Sequence, residues 1–152
     1  MRKIIAILIL IIVCFSTCEK DDFCVVNPVT PNLVLRFYDT NNRETKKNVT
    51  NLYVWAEGKD TITAFKGSSK DSIYIPLNSL ATETIYNFSK NDVVNQFTIK
   101  YSPEEEYISR SCGYRVIFND VSFSSNNTWI TDFNIISTTI DNQNEAHVQI
   151  FH

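Results

Sequence analysis

The chain has 152 residues, of which 14 are basic and 17 are acidic, so its formal net charge is −3. This length fits one domain that can bury most of its apolar surface. The charge balance argues against a nucleic-acid partner, because polyanion binding needs a concentrated basic surface and the basic residues here are scattered, apart from Lys46 and Lys47.

Residues 1–17 have the pattern of a lipoprotein signal peptide. Arg2 and Lys3 precede an apolar run at residues 4–15, and two small residues then lead to Cys18. The run is shorter than the roughly 20 apolar residues that a membrane-spanning helix needs. We therefore predict cleavage before Cys18 and acylation of its thiol. An uncleaved anchor or a buried core helix is the alternative.

Acylation at Cys18 would attach the protein to a membrane through its lipid. Removal of residues 1–17 takes away two basic residues and no acids, which leaves 12 basic and 17 acidic side chains, or about −5. A domain with this charge is not attracted to anionic head groups. Each buried methylene of an acyl chain contributes about 0.8 kcal/mol, and a lipoprotein carries more than one chain, so the lipid alone is expected to suffice.

Residues 18–31 are polar and proline-bearing, and we interpret them as a short tether. Cys14 would leave with the signal peptide, so Cys24 and Cys112 are the two cysteines that remain beside Cys18. In an oxidising compartment an even remainder favours one disulfide, between Cys24 and Cys112. Two free buried thiols are the alternative. No metal site or cofactor is expected, since the chain has no Cys-x-x-Cys motif and only two histidines.

Residues 32–152 show a period of two, which indicates strands with one buried face. Clear alternation occurs at residues 33–38, 52–57, 73–77, 97–101, 114–118 and 148–150. Weaker strands rich in β-branched and aromatic residues are predicted at residues 61–66, 84–89 and 130–140. Glycine, asparagine and aspartate separate these segments and favour turns.

Seven to nine short strands separated by such turn residues predict an all-β domain, a single antiparallel β-sandwich. An immunoglobulin-like arrangement is one form of it, and a partly open barrel is the alternative. Helix is nearly absent from the pattern. The one exception predicted is a helical turn at residues 102–106, where Pro103 precedes three glutamates that suit the first turn of a helix.

Six segments of the sequence carry a resemblance when they are taken together, although each is weak by itself. They are CEKDD (18–22), PNLVLRFYD (31–39), VTNL (49–52), DSIYIPL (71–77), YISRSCGY (107–114) and AHV (146–148). Together they resemble a family of uncharacterised lipoproteins of Bacteroidetes, and they cover nearly the whole mature chain. The resemblance implies an all-β lipoprotein domain and carries over no active-site residues.

The resemblance also bears on localisation. In that group an acidic run after the acylated cysteine resembles the signal that sends lipoproteins to the outer face of the outer membrane. Lys20, Asp21 and Asp22 fit this pattern. An ordinary polar spacer is the alternative. We expect a lipid-anchored protein of the outer membrane, on its periplasmic or cell-surface face.

Candidates for chemistry are few, and we expect no enzyme. His147 is placed in the final strand, where it would face solvent or make a structural hydrogen bond, and His152 would be mobile. Glu104, Glu105 and Glu106 could supply paired carboxylates, but adjacent positions do not control the separation that glycoside hydrolysis needs. A solvated acidic turn is the alternative that we favour.

Two further groups of residues could bind ligands. Arg110 and Arg115 flank Cys112, where they would pair with nearby acids in a structural corner or recognise an anion. Tyr53 and Trp55 share the face of their strand opposite to Leu52 and Val54. That face could stack on sugar rings, and the alternative is a second buried face. Tyr38 or Tyr74 could extend the aromatic row on neighbouring strands.

The leading functional prediction is a non-enzymatic interaction or structural domain of the cell envelope, with an envelope protein as its partner. A carbohydrate-binding module that uses Tyr53 and Trp55 is the first alternative, with a glycan as its partner. An enzyme is the third, and it would need His147 or an acidic residue in a concave pocket with a perturbed pKa.

Overall fold

The structure is a computed structural model that describes Cys24 and residues 29–152. The predicted signal peptide, and most of the predicted tether, lie outside the described residues. The described part of the chain forms two β-sheets that pack against each other, which confirms the predicted β-sandwich. Its strands are β1 (Leu33–Tyr38), β2 (Val49–Ala56), β3 (Ser68–Lys70), β4 (Ser72–Ile75), β5 (Glu83–Lys90), β6 (Val93–Ser109), β7 (Gly113–Ser125), β8 (Asp132–Ile135) and β9 (Val148–Phe151).

The smaller sheet has four strands in the order β4-β1-β9-β8. β1 is antiparallel to β4 and parallel to β9, so strands from both ends of the described chain lie side by side. β8 completes the sheet by pairing antiparallel with β9. In an immunoglobulin domain the first two strands are neighbours in one sheet. Here β1 and β2 lie in different sheets, so the likeness is one of two packed sheets and not of connectivity.

The larger sheet has five strands in the order β3-β2-β5-β6-β7, and all its pairs are antiparallel. β6 and β7 are much longer than the other strands, with 17 and 13 residues. Pairing between β5 and β6 extends only as far as Glu83 and Lys100. Further along, the described part of β6 pairs with β7 alone, as residues 102–109 against residues 113–119. We call this two-stranded extension the ribbon.

The core lies between the inner faces of the two sheets. Leu33, Leu35 and Phe37 point inward from β1, and each is fully buried. Phe88 and Phe97 meet them from the larger sheet with their rings 6.0 Å apart in an edge-to-face contact. Burial of each such side chain contributes about 1.5–3 kcal/mol. The two-residue periodicity of the sequence is therefore the pattern of inward-facing residues in this sandwich.

Two of the weaker strand predictions are wrong in whole or in part. Residues 61–66 form no strand but contain a short 3-10 helix, Thr63–Phe65, whose Phe65 is buried. Within residues 130–140 only β8 is a strand, with an isolated bridge at Ile140. β-branched and aromatic residues occur in both segments because they pack into the core, so composition alone does not distinguish a strand from a packed loop.

The helical turn predicted at residues 102–106 is also wrong, because these residues are part of β6. Pro103 lies opposite Phe118 of β7. The backbone N–H and C=O of Phe118 form hydrogen bonds with Ile140, on the side of β7 that faces away from β6. The residue opposite Phe118 in β6, which is Pro103, therefore forms no backbone hydrogen bond with it. The nitrogen of Pro103 lies on the unpaired edge of β6, where a strand tolerates proline.

Candidate functional site

The outer face of the larger sheet carries the predicted ligand-binding pair. Tyr53 and Trp55 project from β2 on the side opposite to the buried Leu52 and Val54. Tyr53 is 36% exposed and Trp55 is half-buried. Gly67 allows the Tyr53 hydroxyl to approach closely, because a Cβ at position 67 would lie 3.3 Å from that hydroxyl, and the φ of Gly67 is +63°, which favours glycine.

The predicted extension of this aromatic row is wrong. Tyr38 and Tyr74 belong to β1 and β4, and both strands lie in the smaller sheet. Tyr38 is buried at 8% exposure, while Tyr74 is 47% exposed. Alternation along one strand predicts which side chains share its face, but it does not predict which strand lies next to it.

Polar side chains adjoin Trp55 instead. Asn87 of β5 lies opposite Trp55, and Gln96 of β6 lies opposite Asn87, so the three residues form one row across the sheet. The backbone N–H of Gln96 donates to Asn126 Oδ1 at 2.9 Å. An indole ring in one row with two amide side chains combines a stacking surface with groups that donate and accept hydrogen bonds.

A groove of about 590 Å³ opens at the end of the same sheet. Glu57, Lys59 and Glu83 bring charge to it, while Pro76 and Leu77 are part of its apolar wall. Tyr86 donates from its hydroxyl to the carbonyl of Pro76 at 2.6 Å. Burial, with a further contribution from Tyr101, raises the pKa of Tyr86 to about 12, so this hydroxyl keeps its proton.

His147 lines a second, polar cavity of about 460 Å³. Its ring, however, is held by a hydrogen bond to the backbone of β1. His147 lies immediately before β9 and is 4% exposed. The backbone N–H of Val34 donates to its Nδ1 at 3.0 Å, and the backbone N–H of His147 donates to the carbonyl of Val34 at 2.9 Å. Burial lowers the pKa of His147, against the opposing effects of the Asn142 carbonyl and the Asp141 charge. The ring is therefore neutral and has a structural role.

The prediction that His152 is mobile is wrong. His152 is 8% exposed, and its ring packs edge-to-face against Phe37 and Trp129. Lys90 donates to its Nδ1 at 3.0 Å. Burial, and next the charge of Lys90, lower the pKa of His152. Packing on a core aromatic ring makes this residue part of the sandwich.

The acidic run is divided between two faces of the ribbon. Glu106 accepts from Arg115 Nε at 2.5 Å, and Glu104 accepts from Asn119 Nδ2 at 2.6 Å. Glu105 lies on the opposite face because side chains alternate along a strand. Arg115 therefore forms the structural ion pair that was one of the two roles expected of the arginines. Glu104 and Glu106 share one face, but each is bound by a different side chain of β7, so they do not form a carboxylate pair for acid–base catalysis.

The end of the ribbon carries a disulfide and an exposed aromatic pair. Cys24 is bonded to Cys112, which lies in the turn between β6 and β7, with a sequence separation of 88 residues. Tyr107 and Tyr114 face each other across the ribbon with their ring centroids 5.2 Å apart, and they are 58% and 62% exposed. Sequence reasoning missed this pair. A hairpin predicted with its turn at Cys112 would have placed these two tyrosines on neighbouring strands, opposite each other.

The remaining predicted site residues lie outside the described part of the chain. These are Cys18, predicted to be acylated, and Lys20, Asp21 and Asp22, predicted to form an export signal. Within the described residues, no group of three or more histidine, cysteine, aspartate or glutamate side chains could hold a metal ion. The same residues contain no helix that is long and apolar enough to span a bilayer.

The chain matches none of the curated proteins and none of the solved structures with which it was compared. One family matches residues 51–152, a range that runs from β2 to the last residue of the sequence. Since this match covers more than half of the chain, the protein belongs to the family described as a family of unknown function, DUF6452.

Proposed function

We propose that this protein is a lipid-anchored, non-enzymatic component of the cell envelope, held at the outer membrane by acyl chains on Cys18. The observation that carries the proposal is the bond between Cys24 and Cys112, the two cysteines that remain after the predicted processing besides the acylated one. Disulfides persist in oxidising compartments outside the cytosol. The basic and apolar pattern of residues 1–17 supports export independently.

An interaction or structural role fits the sandwich better than catalysis. His147 and His152 each accept a hydrogen bond at Nδ1 from another part of the fold, so neither ring is a ready proton acceptor. The groove beside Tyr86 holds carboxylates and a lysine but includes no histidine, cysteine or serine among its described lining residues. A base positioned against a nucleophile is what acyl or phosphoryl transfer would require.

Mass spectrometry of the native protein tests the anchor. We expect a mature chain that begins at Cys18 and carries fatty acids on that residue. A Cys18→Ala variant should lose the acyl chains and leave the membrane fraction. An intact leader, or an unmodified Cys18, would contradict the proposal.

The facing leaflet needs a separate experiment. We propose that Lys20, Asp21 and Asp22 direct the protein to the cell surface. Protease added to intact cells should then degrade it, whereas the Asp21→Asn, Asp22→Asn double variant should become protected. Degradation only after the outer membrane is breached would place the wild-type protein on the periplasmic face.

A carbohydrate-binding module is the second candidate, and the row formed by Trp55, Asn87 and Gln96 favours it. Sugar hydroxyls are recognised by groups that donate and accept hydrogen bonds beside an aromatic surface. We expect glycan-array binding that is lost in Trp55→Ala and kept in Tyr74→Ala, which removes an exposed tyrosine of the other sheet. Binding unaffected by Trp55→Ala would exclude this surface.

A further inference from the structure

The ribbon extends beyond the sheet that supports it. Residues 102–109 and 113–119 pair with each other, and eight residues of a strand extend about 25 Å. An isolated two-stranded hairpin is marginally stable in water. The described residues of the N-terminal part stabilise the ribbon through the disulfide of Cys112 and a hydrogen bond from the backbone N–H of Val116 to Thr30 Oγ1 at 3.1 Å.

The disulfide also determines how far the end of the ribbon can lie from the predicted lipid. Cys24 follows Cys18 by six positions in the sequence. Even a fully extended chain of six residues would span only about 20 Å. The Cα atoms of Cys24 and Cys112 are 4.9 Å apart. If Cys18 is acylated, as proposed above, Cys112 is therefore confined to within about 25 Å of the acylated residue. The far end of the sandwich has no such constraint.

The side chains at this end suit a membrane interface. Tyr107 and Tyr114 are the two most exposed tyrosines of the described chain. They share their face of the ribbon with Val116 and Phe118, so the pair continues the core-facing side of β7 past the edge of the sandwich. Tyrosine is enriched where one end of a side chain meets apolar surface and the other meets water, as at lipid head groups.

We propose that the ribbon docks on the bilayer that holds Cys18, with Tyr107 and Tyr114 inserted at the level of the lipid head groups. The proposal rests on the lipid anchor proposed above. Glu105 lies on the same face as Tyr107 and farther from the turn, and its exposed charge limits the depth of insertion. The ribbon and the acyl chains then form two separate contacts with one membrane, and together they fix the orientation of the sandwich.

Lipid quenching of tryptophan fluorescence tests the docking. Three full-length lipoproteins would be compared: the unsubstituted chain, Tyr114→Trp and Tyr74→Trp. Tyr74 is 47% exposed on β4 of the other sheet and is the matched control. Each protein is placed in phosphatidylcholine vesicles with or without acyl-brominated lipid, and its attached fatty acids are verified by mass spectrometry. The unsubstituted chain gives the background from Trp55 and Trp129.

We expect brominated lipid to quench roughly half of the emission added by Tyr114→Trp and little of that added by Tyr74→Trp. An acylated Tyr114→Trp protein without quenching would overturn the docking and leave the lipid anchor in place. Equal quenching of both variants would show a sandwich without fixed orientation, and it would also overturn the docking. A chain without fatty acids would overturn both proposals.

Discussion

Both histidines of this protein act as hydrogen-bond acceptors inside the fold. His147 Nδ1 receives the backbone N–H of Val34, and His152 Nδ1 receives the ammonium group of Lys90. A protonated ring would lose its acceptor nitrogen and break either bond. The sequence alone does not predict this role, because the partner of His147 lies 113 residues away and is brought close only by the pairing of β9 with β1.

Stability should therefore fall as the pH drops below 6.5, the ordinary pKa of histidine. Burial lowers the pKa of both rings in the folded chain, so between that lower pKa and 6.5 the unfolded chain binds more protons. The stabilisation is complete above this window and is lost progressively as the pH falls through it. Urea unfolding between pH 8 and pH 5 measures the effect. His147→Asn, which keeps an acceptor near Nδ1, should reduce the dependence, and an unchanged pH profile would contradict the assignment.

Asn95 offers a second test at the scale of one residue. It is fully buried, its Nδ2 donates to Ser125 Oγ at 2.9 Å, and its Oδ1 accepts from the backbone N–H of Thr128 at 2.9 Å. Asn95→Ala leaves that N–H without a partner, which should cost about 1–3 kcal/mol of the free energy of unfolding. Chemical denaturation of Asn95→Ala against the exposed Asn134→Ala measures it. Equal stability of the two variants would contradict the role of Asn95.

At the scale of elements, the ribbon shows where local sequence rules mislead. Pro103 and the glutamates after it satisfy the rules for the start of a helix, yet they form the middle of β6. The edge of β6 is unpaired there, so proline removes no hydrogen bond between strands. Arg115 and Asn119 of β7 bind two of the carboxylates. Those partners come from the returning strand, which no local pattern contains.

Removal of the disulfide should destabilise the domain substantially. In the chain-entropy account, a closed loop of 88 residues contributes about 4–5 kcal/mol to the free energy of unfolding. We expect the Cys24→Ala, Cys112→Ala double variant to lose stability by up to that amount in urea unfolding. The wild-type protein in reducing buffer is the control and should match the variant. If oxidised and reduced wild-type proteins unfold at the same urea concentration, the bond does not stabilise the fold.

At the scale of the whole molecule, the periodicity of two was enough to predict the sandwich. It predicted the inward-facing residues of β2, β4 and β6, because burial of one face dictates alternation. It also predicted those of β1, although Val34 and Tyr38 on the other face of β1 are buried too. The order of the strands could not be predicted in the same way. Parallel pairing of β1 with β9 depends on contacts between distant segments. Tyr38 and Tyr74 lie away from Tyr53 because β1 and β4 belong to the smaller sheet.

Deletion of residues 148–151 should abolish cooperative folding. β9 lies between β1 and β8, and its Val148, Ile150 and Phe151 are all buried. Three such side chains contribute about 5–9 kcal/mol, which is comparable with the whole stability of a typical domain. Thermal unfolding followed by circular dichroism measures the loss, with Leu80→Ala as a control because Leu80 is 95% exposed. A cooperative transition in the deletion variant would contradict this account.

The parallel pairing of β1 with β9 also affects the order in which the two sheets can form. A chain that emerges from its amino end would present β1 early, but the inner position beside it stays vacant until β9 arrives. Until then the four-stranded sheet has an open gap, and long-range pairings of this kind form slowly. The four-stranded sheet can therefore be completed only after β9 is available to pair with both β1 and β8. Assembly of this half of the sandwich is thus expected to follow that of the larger sheet, all of whose strands precede β9 in the chain.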